Sequence, residues 1–218
     1  MSTTNSFFLI VSTLAAGAVT AVEVAVGAAG IAGSLGLLLA LMITFLHSRF
    51  VHAAIAVYVE WMRNVPALAH LFVLYFGLAS VGLRLSPKFA AILGLGLVGA
   101  AVLCDVFAAG IMALHVGQRE AALAAGLTPS QALRFIVLPQ MLRITLPSLG
   151  NYASQLVKDT SIASAIAAPE IMFYARNLVT STFETPLIYA TAMLIYAAMV
   201  FPVSWMFAML ERHLGRHR

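Results

Sequence analysis

Val116 to Arg143 reads VGQREAALAAGLTPSQALRFIVLPQMLR and is the longest polar segment in the chain. Two short helices are written into it. Gln118 to Ala125 is Ala-rich and favours helix, and Gly126 stands where a left-handed residue would close it. Thr128 then fits an N-cap, Pro129 the first helical position and Gln131 the third, so a capping box opens a second helix that is expected to end near Pro139. The segment therefore predicts helix, tight turn, helix.

What flanks it is apolar on both sides. Of 218 residues 62% are hydrophobic and 9% charged, and the mean hydropathy is +0.98, outside the range of soluble globules. About 20 apolar residues at roughly 1.5 Å each cross the hydrocarbon layer. Val11 to Leu46, with Glu23 as its one charge, makes about 54 Å as a single helix. A single long helix is favoured over two broken near Gly27, Gly30 and Gly33, because each half would be too short to cross. A signal peptide is not expected, since no Lys or Arg precedes this apolar core and the core is too long. The second run is Asn64 to Leu83, with His52 to Arg63 extending it, and the third is Phe89 to Leu114, carrying Asp105. Ile144 to Ala168, interrupted by Lys158 and Asp159, is the fourth, and Thr185 to Leu210 the fifth. The expectation is an all-α polytopic membrane bundle of about five helices, forming one domain over 1–218.

Charge orients it. With an outside N-terminus and five crossings, Arg49, Arg63, Arg119, Arg134, Arg143, Arg212, Arg216 and Arg218 face the cytoplasm. Only Arg84, Lys88 and Arg176 then face out, as the positive-inside rule requires. The net charge of +4 follows from topology and needs no nucleic-acid partner. Cys104 stands alone, so it forms no intrachain disulfide and is expected to pack.

The helix-turn-helix unit presents a small-residue surface to another protein's groove, with Arg119, Glu120 and Arg134 available to set its orientation. A unit tethered at both ends to membrane helices is poorly placed to read a DNA groove. Charges inside hydrocarbon cost at least about 2.5 kcal/mol, so Asp105, Lys158 and Asp159 need partners or water. Adjacent residues do not face each other on a helix, so Lys158 and Asp159 each pair elsewhere or line a wet cavity, with solute contact and structural pairing both open. His70 is expected to be a hydrogen-bonded structural histidine, and Arg63 to reach the headgroups. Spacing around Gly27, Gly30, Gly33 and Ala40 suits close helix packing.

Glu120, Ala121 and Ala122, then Gly126, then Ile136, Leu138 and Pro139 resemble the EAA loop of ABC importer permeases at every position of its spacing. Tyr58 to Glu60, Arg63 and Pro66, Leu74 to Gly77, and Leu85 to Pro87 are similar to segments of the polar amino-acid branch of those permeases. So are Gln140, Arg143, Pro147, Gly150 and Asn151, followed by Lys158, Asp159, Thr160 and Ser161. The resemblance implies a type I ABC importer permease fold in the bacterial inner membrane, with residues 116–143 as a cytoplasmic coupling loop. It implies partners too: ABC ATPase subunits, an extracytoplasmic solute-binding protein and a second permease subunit, identical or different. Arg119, Glu120, Ala121, Ala122, Gly126, Leu127 and Arg134 would engage the ATPase. Asp105, Asn151, Lys158, Asp159, Thr160 and Ser161 would line the solute pathway. ATP and Mg²⁺ would sit on the partner, because no G-x-x-x-x-G-K-[ST] loop occurs here and no cofactor is expected in this chain. The third run departs from the branch, with Val98, Val102, Asp105 and Ala108 standing where Asn, Tyr, Glu and Arg are common. If Asp105 lines the pathway, it favours a cationic solute.

Two other classes compete. An ion-gradient transporter or channel would use the buried acids as ion ligands and show inverted repeats, and no convincing repeat is visible. An intramembrane enzyme needs convergent groups, and His47, His52, His70 and His115 have no ligand spacing.

Overall fold

The computed structural model describes residues 3–215, so Arg216, His217 and Arg218 of the basic tail lie outside the described residues. Helix α1 spans Thr3–Phe45 without a break at its glycines. α2 (Arg49–Asn64) and α3 (Ala67–Ser80) follow, the latter with a π-helical turn at Val73–Gly77. α4 is Pro87–Met112, α5 Val116–Ala124 and α6 Pro129–Ala132. A π-turn, Leu133–Val137, leads into α7 (Leu138–Asp159), which continues as a 3-10 helix, Thr160–Ile166. α8 (Ile171–Thr182) and α9 (Thr185–Gly215) complete an all-α bundle.

Among the described residues, three helices are long and apolar enough to cross a membrane: Phe7–Phe45, Pro87–Met112 and Thr185–Leu214. A fourth is counted only if α2 and α3 make one bent span, so the expectation of five apolar runs is corrected. The second run fails because α2 meets α3 at 103° and does not extend it. Pro66 has no N–H to give and pushes Val65 out of helical space, to φ −95 and ψ 134. α2 is instead amphipathic: Ile55 and Val59 are buried, Glu60 and Arg63 exposed, and the Tyr58 hydroxyl donates to the Leu97 carbonyl at 2.7 Å. The fourth run fails on composition, since α7 carries Gln140, Arg143, Asn151, Gln155, Lys158 and Asp159.

α1 packs most extensively on α4, and α7 lies between α4 and α9. A Cβ on Gly36 would come within 2.9 Å of the Ala100 carbonyl, and one on Gly17 within 2.7 Å of the Ile171 nitrogen, so these two glycines set the closest approaches of α1. The small-residue expectation had named others. Gly30 and Gly33 face open space, while Gly27 meets Ile92 and Ala40 is fully buried. Cys104 is buried in the same core, as a packing residue.

Charged pairs lie toward the two ends of α4. Lys88 at the start of α4 donates to Glu23 at 2.8 Å, supplying a partner that sequence alone does not reveal. Near the far end of α4, Arg63 pairs with Asp105. Arg63 thus does not simply reach for headgroups; it serves as Asp105's counterion.

Candidate functional site

A cavity of about 500 Å³ opens between α4, α7 and the start of α3. Its two long walls differ in chemistry. From α4 come Val98, Val102 and Val106, spaced by four so that they share one face. From α7 come Ser148, Asn151, Gln155 and Asp159, at spacings of three, four and four, forming a polar stripe. Gln155 donates its side-chain N–H to Asp159 Oδ1 at 2.8 Å. Tyr152 rises between the walls, its hydroxyl buried and without a hydrogen-bond partner among the described residues. The tip of the phenol abuts Gly99: a Cβ there would sit 1.9 Å from the hydroxyl oxygen and 2.8 Å from Cζ.

Of the residues expected along a pathway, Asn151 and Asp159 line this cavity. Asp105 does not, and its charge is met by Arg63. Lys158 is exposed on another face of α7, Thr160 is buried with its hydroxyl donated to the Val157 carbonyl at 2.7 Å, and Ser161 is half-buried away from the lining. Gln155, Ser148 and Tyr152 were not anticipated. The 3-4-4 spacing of polar residues through an otherwise membrane-like stretch was the available signal for the first two.

The polar segment folds as helix, turn, helix. α5 closes on Gly126, at φ +87, with Gly126 N–H on the Leu123 carbonyl and Leu127 N–H on the Ala122 carbonyl. Thr128 and Gln131 complete the capping box. The second helix does not end near Pro139, however. The π-turn lets Leu138 N–H reach the Leu133 carbonyl, one residue further back than usual, and this widened turn admits the proline ring without breaking the helix. Glu120, Ala121, Gly126 and Arg134 are exposed, Leu127 is half-buried, and Ala122 is buried. Arg119 is exposed as well, but its guanidinium stacks over the Phe45 ring at 5.3 Å and lines an apolar groove of about 480 Å³ between this loop and the end of α1. Gln140 also donates to Gln118 at 3.3 Å, joining α7 to α5.

His70 departs from expectation. Both ring nitrogens are buried without partners among the described residues, beside an apolar cavity of about 270 Å³. Glu170 was not singled out by sequence, because Glu is an uncommon N-cap. It is fully buried, accepts from the Met172 and Phe173 N–H groups at 2.9 and 2.8 Å, and receives the Tyr196 hydroxyl at 2.5 Å, pinning α8 to α9. Glu170→Ala is expected to cost about 3 kcal/mol, since it takes the acceptor from three half-buried donors. Tyr196→Phe should cost only about 1 kcal/mol, because both backbone donors keep their acceptor. Thermal unfolding of the purified protein in detergent checks this, and equal losses would count against the cap.

The family model described as binding-protein-dependent transport system inner membrane component matches residues 32–216. The probable glutamine ABC transporter permease protein GlnM of Bacillus subtilis (strain 168) is 38% identical over 159 residues, covering 73% of this chain and 74% of that protein. The L-cystine transport system permease protein TcyL of the same organism is 31% identical over 169 residues, covering 74% and 71%. A crystal structure of an amino acid ABC transporter with histidines superposes with a TM-score of 0.83 at 27% identity, covering 93% of this chain and 94% of that one.

Proposed function

The chain belongs to the family of binding-protein-dependent transport system inner membrane components, and on that footing we propose that the cavity between α4 and α7 is its share of a solute pathway worked from the α5–α6 loop. The protein is a membrane subunit of an ABC-type importer for an amino acid or related small nitrogen compound, and it couples to separate ATPase subunits. Catalysis resides on those partners.

One observation carries the mechanical reading. From Pro129 to Asp159 the backbone is helical without interruption, so the exposed Arg134 and the cavity's Asp159 sit on one rod, separated by about 38 Å at the usual rise. A push on the loop therefore moves the polar wall of the cavity against the valine wall of α4. Arg119 on Phe45 and Gln118 on Gln140 carry the same motion to α1 and along α7. Glu120, Ala121, Gly126 and Leu127 form the surface offered to the ATPase, with Ala122 packed beneath them, and the ATPase holds ATP and Mg²⁺. The remaining partners of this reading are an extracytoplasmic solute-binding protein and a second permease subunit. Rocking of one bundle against the other then alternates access to the cavity.

In this reading α1, the bent pair α2–α3, α4, α7 and α9 make five crossings of the bacterial inner membrane, the N-terminus is outside and the C-terminus cytoplasmic. α7 crosses despite its polarity because its stripe faces a water-accessible cavity and not lipid. Residues 1–218 then act as one transmembrane domain. Reconstitution tests the whole: vesicles holding this subunit with its ATPase and binding protein should take up solute only when ATP is supplied. Uptake by the subunit alone, driven by an ion gradient, would replace this reading with a secondary transporter.

A further inference from the structure

The cavity's chemistry narrows the cargo, an inference that rests on the pathway reading above. Among the described residues that line it, Asp159 is the one charged side chain. The second acid within reach in sequence, Asp105, is neutralised by Arg63 and lies off the lining. Lys158, next to Asp159 in the chain, is turned about 100° around α7 and is also absent from the lining. The wall therefore carries net negative charge, with no Lys, Arg or His to receive an anion.

Asp159 uses Oδ1 on Gln155 and retains acceptor capacity for further donors. The Asn151 amide oxygen stands about two helical turns away on the same helix and is able to accept N–H groups as well. Across the gap, Val98, Val102 and Val106 offer nothing to a hydrogen-bonding group. A polar solute body laid on them would lose its water contacts without replacement, whereas an aliphatic or aromatic one loses nothing. A carboxylate on the solute would meet either the valines or the field of Asp159.

We propose that this cavity selects a small organic cation with an apolar body, held through an ammonium or guanidinium group, and that a carboxylate on the solute contributes nothing to its recognition. The positions where this chain has valine make the discrimination: they reject side-chain amides and acids.

The test uses the permease purified together with its ATPase in lipid nanodiscs, without binding protein, so that the cavity alone reads the solute. Binding of butylguanidinium, L-arginine, L-glutamine and L-glutamate is measured by calorimetry. Butylguanidinium should bind at least as tightly as arginine, glutamine on the order of tenfold more weakly than the cations, and glutamate more weakly still. Asp159→Asn should weaken butylguanidinium on the order of tenfold, and Val102→Asn should narrow the gap to glutamine without touching the charge. Arginine binding where butylguanidinium does not would show that the carboxylate is read, and would overturn the proposal. So would glutamine or glutamate binding as tightly as the cation, or none of the four binding. Co-purification of the ATPase reports on the importer reading separately, so the two fail in distinguishable ways.

Discussion

Gly126→Val should leave the protein folded in the membrane but separate it from its ATPase. Gly126 holds φ +87 at the turn between the two loop helices, where a β-branched residue is strained by about 1–2 kcal/mol or more. Nothing lies within 4 Å of a Cβ there, so the strain arises from the backbone and not from a clash at Cβ. The strain is relieved by reorienting α5 against α6, which breaks the paired bonds onto the Leu123 and Ala122 carbonyls. Both helices of the docking surface then present a different shape. ATP-driven uptake should fall on the order of a hundredfold, the loss typical of a misplacement of about an ångström in a positioned assembly. Gly30→Val is the control, because its Cβ also meets nothing and its backbone is ordinary helix. Co-purification of ATPase with each variant, beside its yield in membranes, reads the result. If Gly126→Val retains its ATPase in full, the loop is not the handle.

Gly99→Ala should do the opposite, keeping the ATPase and closing the cavity. The new methyl would lie 1.9 Å from the Tyr152 hydroxyl oxygen, 2.8 Å from its Cζ and 2.9 Å from the Ala32 Cβ. Ala32 belongs to α1 and cannot swing away, whereas the phenol can turn into the space it already borders. That space is the cavity. ATP-driven uptake should fall by more than about tenfold while loop contacts persist. Adding Tyr152→Phe removes the atom in closest conflict and should restore part of the loss. Such non-additivity is the mark of two residues acting through direct contact. Additive losses in the double variant would mean that Gly99 matters only for the packing of α1 on α4.

Local features were legible because they are decided within a few residues. The capping box at Thr128 and Gln131, the left-handed turn at Gly126, and the apolar runs of α1, α4 and α9 all formed where the chain predicts them. The EAA resemblance likewise rests on spacing along one short segment. Readings that needed a third dimension fared differently. Asp105 looked like a pathway acid until Arg63, 42 residues away, was found beside it. The helical run expected to stop at Pro139 continues, because a π-turn four residues earlier absorbs the proline. A period of 3.6 cannot foresee a local change of period.

Composition and local capping chemistry determined by themselves that this chain is an all-α membrane protein with a two-helix polar handle, since hydropathy and turn geometry are properties of short segments. Tertiary structure decided which residues meet. α7 turns Asp159 toward the valines of α4 and Lys158 away from them, and Gly99 gives up its side-chain space to Tyr152. Neighbours on a helix diverge by about 100°, so a small rotation of α7 about its axis would exchange one charge for the other at the cavity wall. That rotation is set by side-chain packing across three helices, and no single segment encodes it.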